Sequence, residues 1–137
     1  MGAEENLQVV RTYFATVGRA EEGAVQRAIA EMTDDVVWHI PKSLPNGGAH
    51  EGRDAVLAML DANDGVSLYQ PGSMDVQVAT MIADDEHVVV PLHLRAITGR
   101  GEPYENDYVF IFRIRDGRIA EVWENLDTLY LHTKLHV

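Results

Sequence analysis

The stretch from Tyr104 to Asp127, YENDYVFIFRIRDGRIAEVWENLD, constrains the fold more than any other part of the chain. An aromatic and β-branched run from Tyr104 to Ile114 reads as a strand. Arg115-Asp116-Gly117-Arg118 supplies a tight turn, with Gly117 able to take positive φ. A second strand follows from Ile119 to about Asn125. Two acids interrupt it. Glu124 and Asp127 stand where the run should stay apolar or stop, and Trp123 lies beside Glu124. A carboxylate in or near a buried pocket is costly unless it has a partner or a task. Asp127, just past the strand, reads as the cap of a terminal segment. Glu124 is the acid expected inside.

The rest of the chain supplies what a hairpin needs to bury. Leu7, Val10, Phe14 and Val17 recur at helical spacing over residues 4–17, and Val25, Ala28, Ile29 and Met32 do so over 22–32. Val36 to Ile40 is a short strand stopped by Pro41. Residues 41–52, PKSLPNGGAHEG, read as a loop by composition. A third helix is expected from Arg53 to Leu60, and a brief strand at Val66–Tyr69. Period-two alternation marks a strand over 74–82 and another from His87 to about Thr98, joined by a turn at Asp84-Asp85. Pro91 cannot donate to a ladder, so an edge position or a bulge is expected there. The order is ααβα followed by four strands, an α+β fold with helices on one face of a curved sheet. At 137 residues the chain is one domain, 1–137.

Composition excludes several functions. The net charge of −11 and the scattered basic residues disfavour a nucleic-acid groove or an anionic membrane surface. The absence of cysteine removes disulfides, thiolate nucleophiles and cysteine-based zinc sites. No leader pattern or membrane-length apolar run is visible, so a cytoplasmic location is expected. His132 and His136 have i, i+4 spacing but no third acidic ligand nearby, and no metal is expected.

Strand parity suggests a site. Val88, Val90, Leu92, Leu94 and Ala96 form one apolar face of their strand. His93 and Arg95 lie on the other face, with Val89, Pro91 and Ile97. Asn106, Tyr108, Phe110 and Phe112 share a face of the next strand, as Ala120, Val122 and Glu124 do on the last. If the mixed faces line one cavity, His93, Arg95 and Glu124 converge among Trp38, Tyr108 and Phe110. Such a cavity would be largely apolar with a few directed polar groups, as small-molecule pockets are. The plainer alternative is a solvated sheet face on which Glu124 pairs with Arg95.

The motifs VVRTYFATV, MTDDVVWHIP, GGAHEGRDAV and YVFIFRIRDGRIAEVWENLDT resemble the SnoaL-like branch of the nuclear-transport-factor-two-like superfamily. That branch takes in polyketide cyclases, limonene epoxide hydrolases and relatives of ketosteroid isomerase. The resemblance implies a cone-shaped curved mixed or antiparallel sheet, wrapped by three helices from the N-terminal half. It also implies a homodimer packed through the sheet, with Val88 to Ala96 a candidate for core or interface. Tyr13 falls where the isomerases carry an oxyanion-hole tyrosine, but Ile40 and Phe110 replace their two acids, so ordinary steroid isomerisation is not expected. The Arg–x–Asp pair of the epoxide hydrolases falls on Pro91 and His93, and their last acid on Glu124.

These features together lead to a small enzyme that needs no cofactor and performs isomerisation, cyclisation or epoxide opening on an apolar, oxygenated small molecule. The expected catalytic residues are His93, Glu124, Arg95 and Tyr13. The expected pocket residues are Trp38, Ile40, Asn106, Tyr108, Phe110, Phe112 and Val122. A non-catalytic binding module or scaffold of the same fold is the alternative.

Overall fold

The computed structural model describes residues 2–18, 21–64 and 68–137, without the side chains of 61–64. Two helices, α1 (Ala3–Gly18) and α2 (Ala24–Ala30), precede strand β1 (Val37–Ile40). Strand β2 (Gly48–Glu51) and helix α3 (Arg53–Asp64) follow. Then come β3 (Asp75–Val78), β4 (Ile82–Ala83), β5 (His87–Ile97), β6 (Pro103–Arg115), β7 (Arg118–Leu126) and α4 (Thr128–Leu135). The strands form one curved, unclosed mixed sheet in the order β2-β1-β7-β6-β5-β3, with β4 also paired to β5. Among the described residues, only β1 and β7 run parallel. No helix among the described residues is long and apolar enough to cross a membrane.

Several local expectations change. Residues 48–51 lie in a stretch whose glycines and proline suggested a loop, yet they pair antiparallel with β1. The strand expected over 74–82 is broken into β3 and β4, which pair with opposite ends of β5. Pro91 of β5 sits at that break, between the residues paired to β3 and those paired to β4, where no ladder donor is required. The brief strand expected at Val66–Tyr69 falls partly outside the described residues; Tyr69 forms an isolated bridge to Thr98. The C-terminal segment is helical. Asp127 caps it by accepting from the Tyr130 backbone N–H at 3.0 Å.

The β6–β7 hairpin closes through two residues, Asp116 and Gly117, with φ of 53° and 75°. Both are in the left-handed region, as a type I′ turn requires. Such a turn alone would continue the pairing Ile114↔Ile119 to Arg113↔Ala120 and Phe112↔Glu121. The observed pairs are instead Arg113↔Glu121, Phe112↔Val122 and Phe110↔Glu124. Ala120 is thus an extra residue, a bulge that shifts every later residue of β7 by one and so exchanges its faces. Val122 and Glu124 turn toward the helices. Glu121 and Trp123 turn outward.

The covered face of the sheet holds the core. Trp38, Phe112, Val88, Val90 and Val122 are essentially inaccessible, and Val10, Met32 and Val56 pack there from the helical side. Removing a side chain of this size from water stabilises the fold by roughly 1.5–3 kcal/mol. The apolar face of β5, Val88 to Ala96, is therefore core and not a subunit interface. The opposite face carries charge and some exposed apolar surface, including Val109 and Ile82.

Candidate functional site

The register places one acid among aromatic rings. Phe110 pairs with Glu124 across β6 and β7, and Trp38 pairs with Val122 across β1 and β7, so all four share the covered face. Trp38 reaches diagonally along that face, and its Nε1–H donates to Glu124 Oε1 at 3.1 Å. The ring of Phe110 lies edge-on to Trp38 at 6.3 Å and stacks on Tyr108 and Phe112 at 6.1 and 5.9 Å. From α1, Phe14 meets Phe110 and Phe112 edge-on, and Tyr13 lies 6.3 Å from Trp38 and 5.7 Å from Phe112.

This surrounding decides the ionisation of Glu124. Burial disfavours the charged carboxylate and lifts its pKa from the ordinary 4.5 to about 7; the Trp38 bond opposes that rise without cancelling it. The residue keeps partial surface access while its carboxyl group is enclosed by protein. A carboxyl group poised near neutrality can take up or release a proton under ordinary conditions.

A second polar group sits further along the same face. The Tyr104 and Tyr108 hydroxyls are 2.9 Å apart, and Asn106 Nδ2 donates to Tyr104 Oη at 2.9 Å. Tyr69 packs its ring on Tyr104 at 5.4 Å. Burial raises the pKa of both Tyr69 and Tyr108, with smaller contributions from neighbouring phenols and from Glu124, so both stay protonated at neutral pH. Tyr69 and Tyr104 were not among the expected site residues. The i, i+2, i+4 spacing of Tyr104, Asn106 and Tyr108 on one strand was the available signal. Nothing comparable marked Tyr69.

His93 and Arg95 do not join this group. Leu92 pairs with Tyr108 and Val90 with Phe110, so the apolar face of β5 is the one continuous with the aromatics. His93 and Arg95 project from the opposite side. There His93 Nδ1 lies 2.8 Å from Asp107 Oδ1 and Nε2 lies 3.5 Å from Glu105 Oε1, while Arg95 Nε is 3.7 Å from Glu105 Oε2. The expected convergence of His93, Arg95 and Glu124 is corrected accordingly, as is the pairing of Arg95 with Glu124. His93 and Asp107 instead line a shallow outer groove of about 440 Å³ beside Gln77, Pro91 and Val109. His39 also points outward, stacked on Trp123 at 5.3 Å and paired with Glu121 at 2.5 Å.

Of the remaining expected residues, Tyr13, Trp38, Asn106, Tyr108 and Phe110 lie on or against the covered face with Glu124. Ile40, Phe112 and Val122 are there too, buried in the core as Trp38 and Tyr108 are.

A curved sheet folded around helices is the cone fold of NTF2-like proteins. An NTF2-like protein from Burkholderia xenovorans LB400 is 26% identical, with 98% of each chain covered and a TM-score of 0.78. TerC, co-crystallised with polyporic acid, is 20% identical over 97% of this chain and 99% of its own, with a TM-score of 0.83. A candidate SnoaL-like polyketide cyclase from Jannaschia sp. CCS1 is 20% identical over 97% and 92%, with a TM-score of 0.77. No curated protein matches the chain. The model of the SnoaL-like domain matches residues 10–122, and the chain belongs to that family.

The raised pKa has a direct thermodynamic consequence. The folded state holds the Glu124 proton more tightly than the unfolded state, so between pH 4.5 and about 7 it binds more protons and stability falls as pH rises. Relative to Glu124→Gln, the wild type should lose stability progressively over that window and level off above it. The loss should total at most about 3 kcal/mol. Urea denaturation of both proteins from pH 4 to 8 measures this; parallel curves would contradict it.

Proposed function

We propose that the protein is a small enzyme, needing no cofactor, that uses Glu124 to move a proton on an apolar, oxygenated molecule held inside the cone. Isomerisation, cyclisation and epoxide opening all fit this chemistry. The observation that carries it is the Glu124 carboxyl group, enclosed by aromatic rings, oriented by Trp38 and ionising near pH 7. Ionised, it accepts a proton from carbon or activates a water; protonated, it returns a proton to a developing alkoxide or enolate. Trp38 fixes which oxygen faces the substrate. Phe14 and Phe110 supply apolar contact, and Tyr13 borders the same space. His93 and Arg95 are left out of the chemistry because they project from the other side of the sheet. TerC, a protein of the same fold, has been co-crystallised with polyporic acid, which supports a small-molecule ligand for this chain. A cytoplasmic location is part of the same proposal and accords with a chain that contains no cysteine.

A screen of apolar ketones, quinones and epoxides tests the assignment. Glu124→Gln should lower turnover by about a hundredfold or more, and the wild-type rate should rise through about pH 7 as the base ionises. His93→Ala should retain the wild-type rate. Full activity in Glu124→Gln would remove the acid from the mechanism. Ligand-dependent stabilisation with no turnover across the screen would make the protein a binding module.

The partner we propose for the outer face is a second copy of the chain. Exposed Val109 and Ile82 lie there with Pro91, Ile111 and Trp123, flanked by charges of both signs. Such a surface suits a self-complementary contact. Light scattering at micromolar concentration should give a dimer that Val109→Glu converts to a monomer; a wild-type monomer would refute it.

A further inference from the structure

We propose that Tyr69 is the end wall of the cone interior and sets how long an apolar, oxygenated ligand can lie beside Glu124. The proposal rests on the cone interior being a ligand pocket, but not on Glu124 being the base.

Exposure along the covered face locates the wall. Phe110 and Glu124 form one cross-strand pair, and both keep partial access, as Tyr13 and Phe14 of α1 do. Further along β6 that access ends: Tyr108 is 5% exposed, Asn106 6% and Tyr104 1%. Two rings lie against Tyr104 there, Tyr130 of α4 at 5.5 Å and Tyr69 at 5.4 Å. Their hydroxyls go to different places. Tyr130 Oη accepts from the Glu105 backbone N–H at 3.3 Å, so its polar end lies against the strand. The Tyr69 hydroxyl is hydrogen-bonded to those of Tyr104 and Tyr108, so its polar end lies inside the cone. Glu124 is near enough to disfavour ionisation of both Tyr69 and Tyr108. The accessible strip that starts at Phe110 and Glu124 therefore ends against Tyr69.

Two sets of contacts hold the ring in place. Its backbone bridges Thr98 just past β5, between a Gln70 N–H that donates to the Ile97 carbonyl at 2.8 Å and a Gly99 N–H that donates to the Leu68 carbonyl at 3.1 Å. Its side chain packs on Tyr104 and hydrogen-bonds to two buried phenols. Swinging the ring aside would take a partner from those buried hydroxyls, which costs about as much as a lost hydrogen bond. A ligand chain that reaches Tyr69 thus meets a fixed surface. Methylenes on the near side of it leave water and add affinity; methylenes beyond its reach do not. Shortening the side chain at this position lengthens the space, while removing only its hydroxyl leaves the length unchanged.

Calorimetric binding of the phenyl ketones from acetophenone to octanophenone tests this without turnover. In the wild type each added methylene should tighten binding by about fourfold until the chain meets Tyr69, and by nothing after that. Tyr69→Ala should move the limit to longer chains, so that the ketone two methylenes past the wild-type limit binds about tenfold tighter or more. Tyr69→Leu, which fills more of the same space, should move it less, and carries the test if Tyr69→Ala does not fold. Tyr69→Phe should keep the wild-type limit. Acetophenone should bind all of these variants alike, whereas a merely structural role for Tyr69 would weaken every chain length together. Glu124→Gln should also keep the limit, which separates this inference from the assignment of the base. A limit that stays in place in Tyr69→Ala and Tyr69→Leu, or a uniform loss across the series, would overturn the proposal. Binding of no ketone by the wild type would contradict the pocket itself, and the end wall with it.

Discussion

The structure depends on one extra residue. The Asp116-Gly117 turn would pair Phe112 with Glu121 and Phe110 with Trp123 if the ladder continued without interruption. Ala120 breaks it, and Phe110 then faces Glu124. Because side chains alternate between faces, this single insertion decides which of two glutamates enters the core and which tryptophan side stays outside. Glu121 is left on the outer face, where His39 and Arg113 neutralise it and its pKa falls below the usual value despite a desolvation effect that opposes this. Glu124 enters an aromatic interior, where burial dominates and its pKa rises. The same residue type, three positions apart, acquires opposite electrostatic character from the register alone.

The interior acid is costly to the fold, and its surroundings limit that cost. Trp38 comes from β1, which runs parallel to β7, and its indole N–H satisfies one carboxyl oxygen. Burial of the carboxyl group keeps the proton in place below about pH 7. On the outer face, acids stand beside basic partners, as Glu121 does beside Arg113 and Glu105 beside Arg95. The sheet thereby separates two kinds of electrostatics: paired and solvated on one side, single and enclosed on the other. An acid held on this face without an opposite charge beside it lowers stability, and carboxyl groups perturbed in this way cluster at functional sites.

Much of the fold was legible in the sequence because local chemistry announced it. The amphipathic spacing of α1, the Asp116-Gly117 turn and the Asp127 cap all follow from short-range patterns. The SnoaL-like motifs are spread along most of the chain. The site was harder, for a physical reason. Alternation sorts each strand into two faces but does not say which face of one strand meets which face of the next. Between β5 and β6 the connection contains Gly99, Gly101 and a Thr98-centred turn, which leave the register open, so His93 and Arg95 could be assigned to the wrong side. The charged face of β5 is outside because Val88 to Ala96 are needed as core. β2 was hidden by its glycines, since its pairing comes from β1 and not from intrinsic strand preference.

The central claim is that Glu124 is an enclosed carboxyl group that changes ionisation near neutrality. Carbon NMR of protein labelled at the glutamate side-chain carboxyl, followed from pH 3 to 9, measures that property directly. One resonance, absent from Glu124→Gln, should titrate with a midpoint near 7 while the others move at ordinary carboxylate values. A spectrum in which every glutamate carboxyl group is ionised by about pH 5.5 would contradict the account.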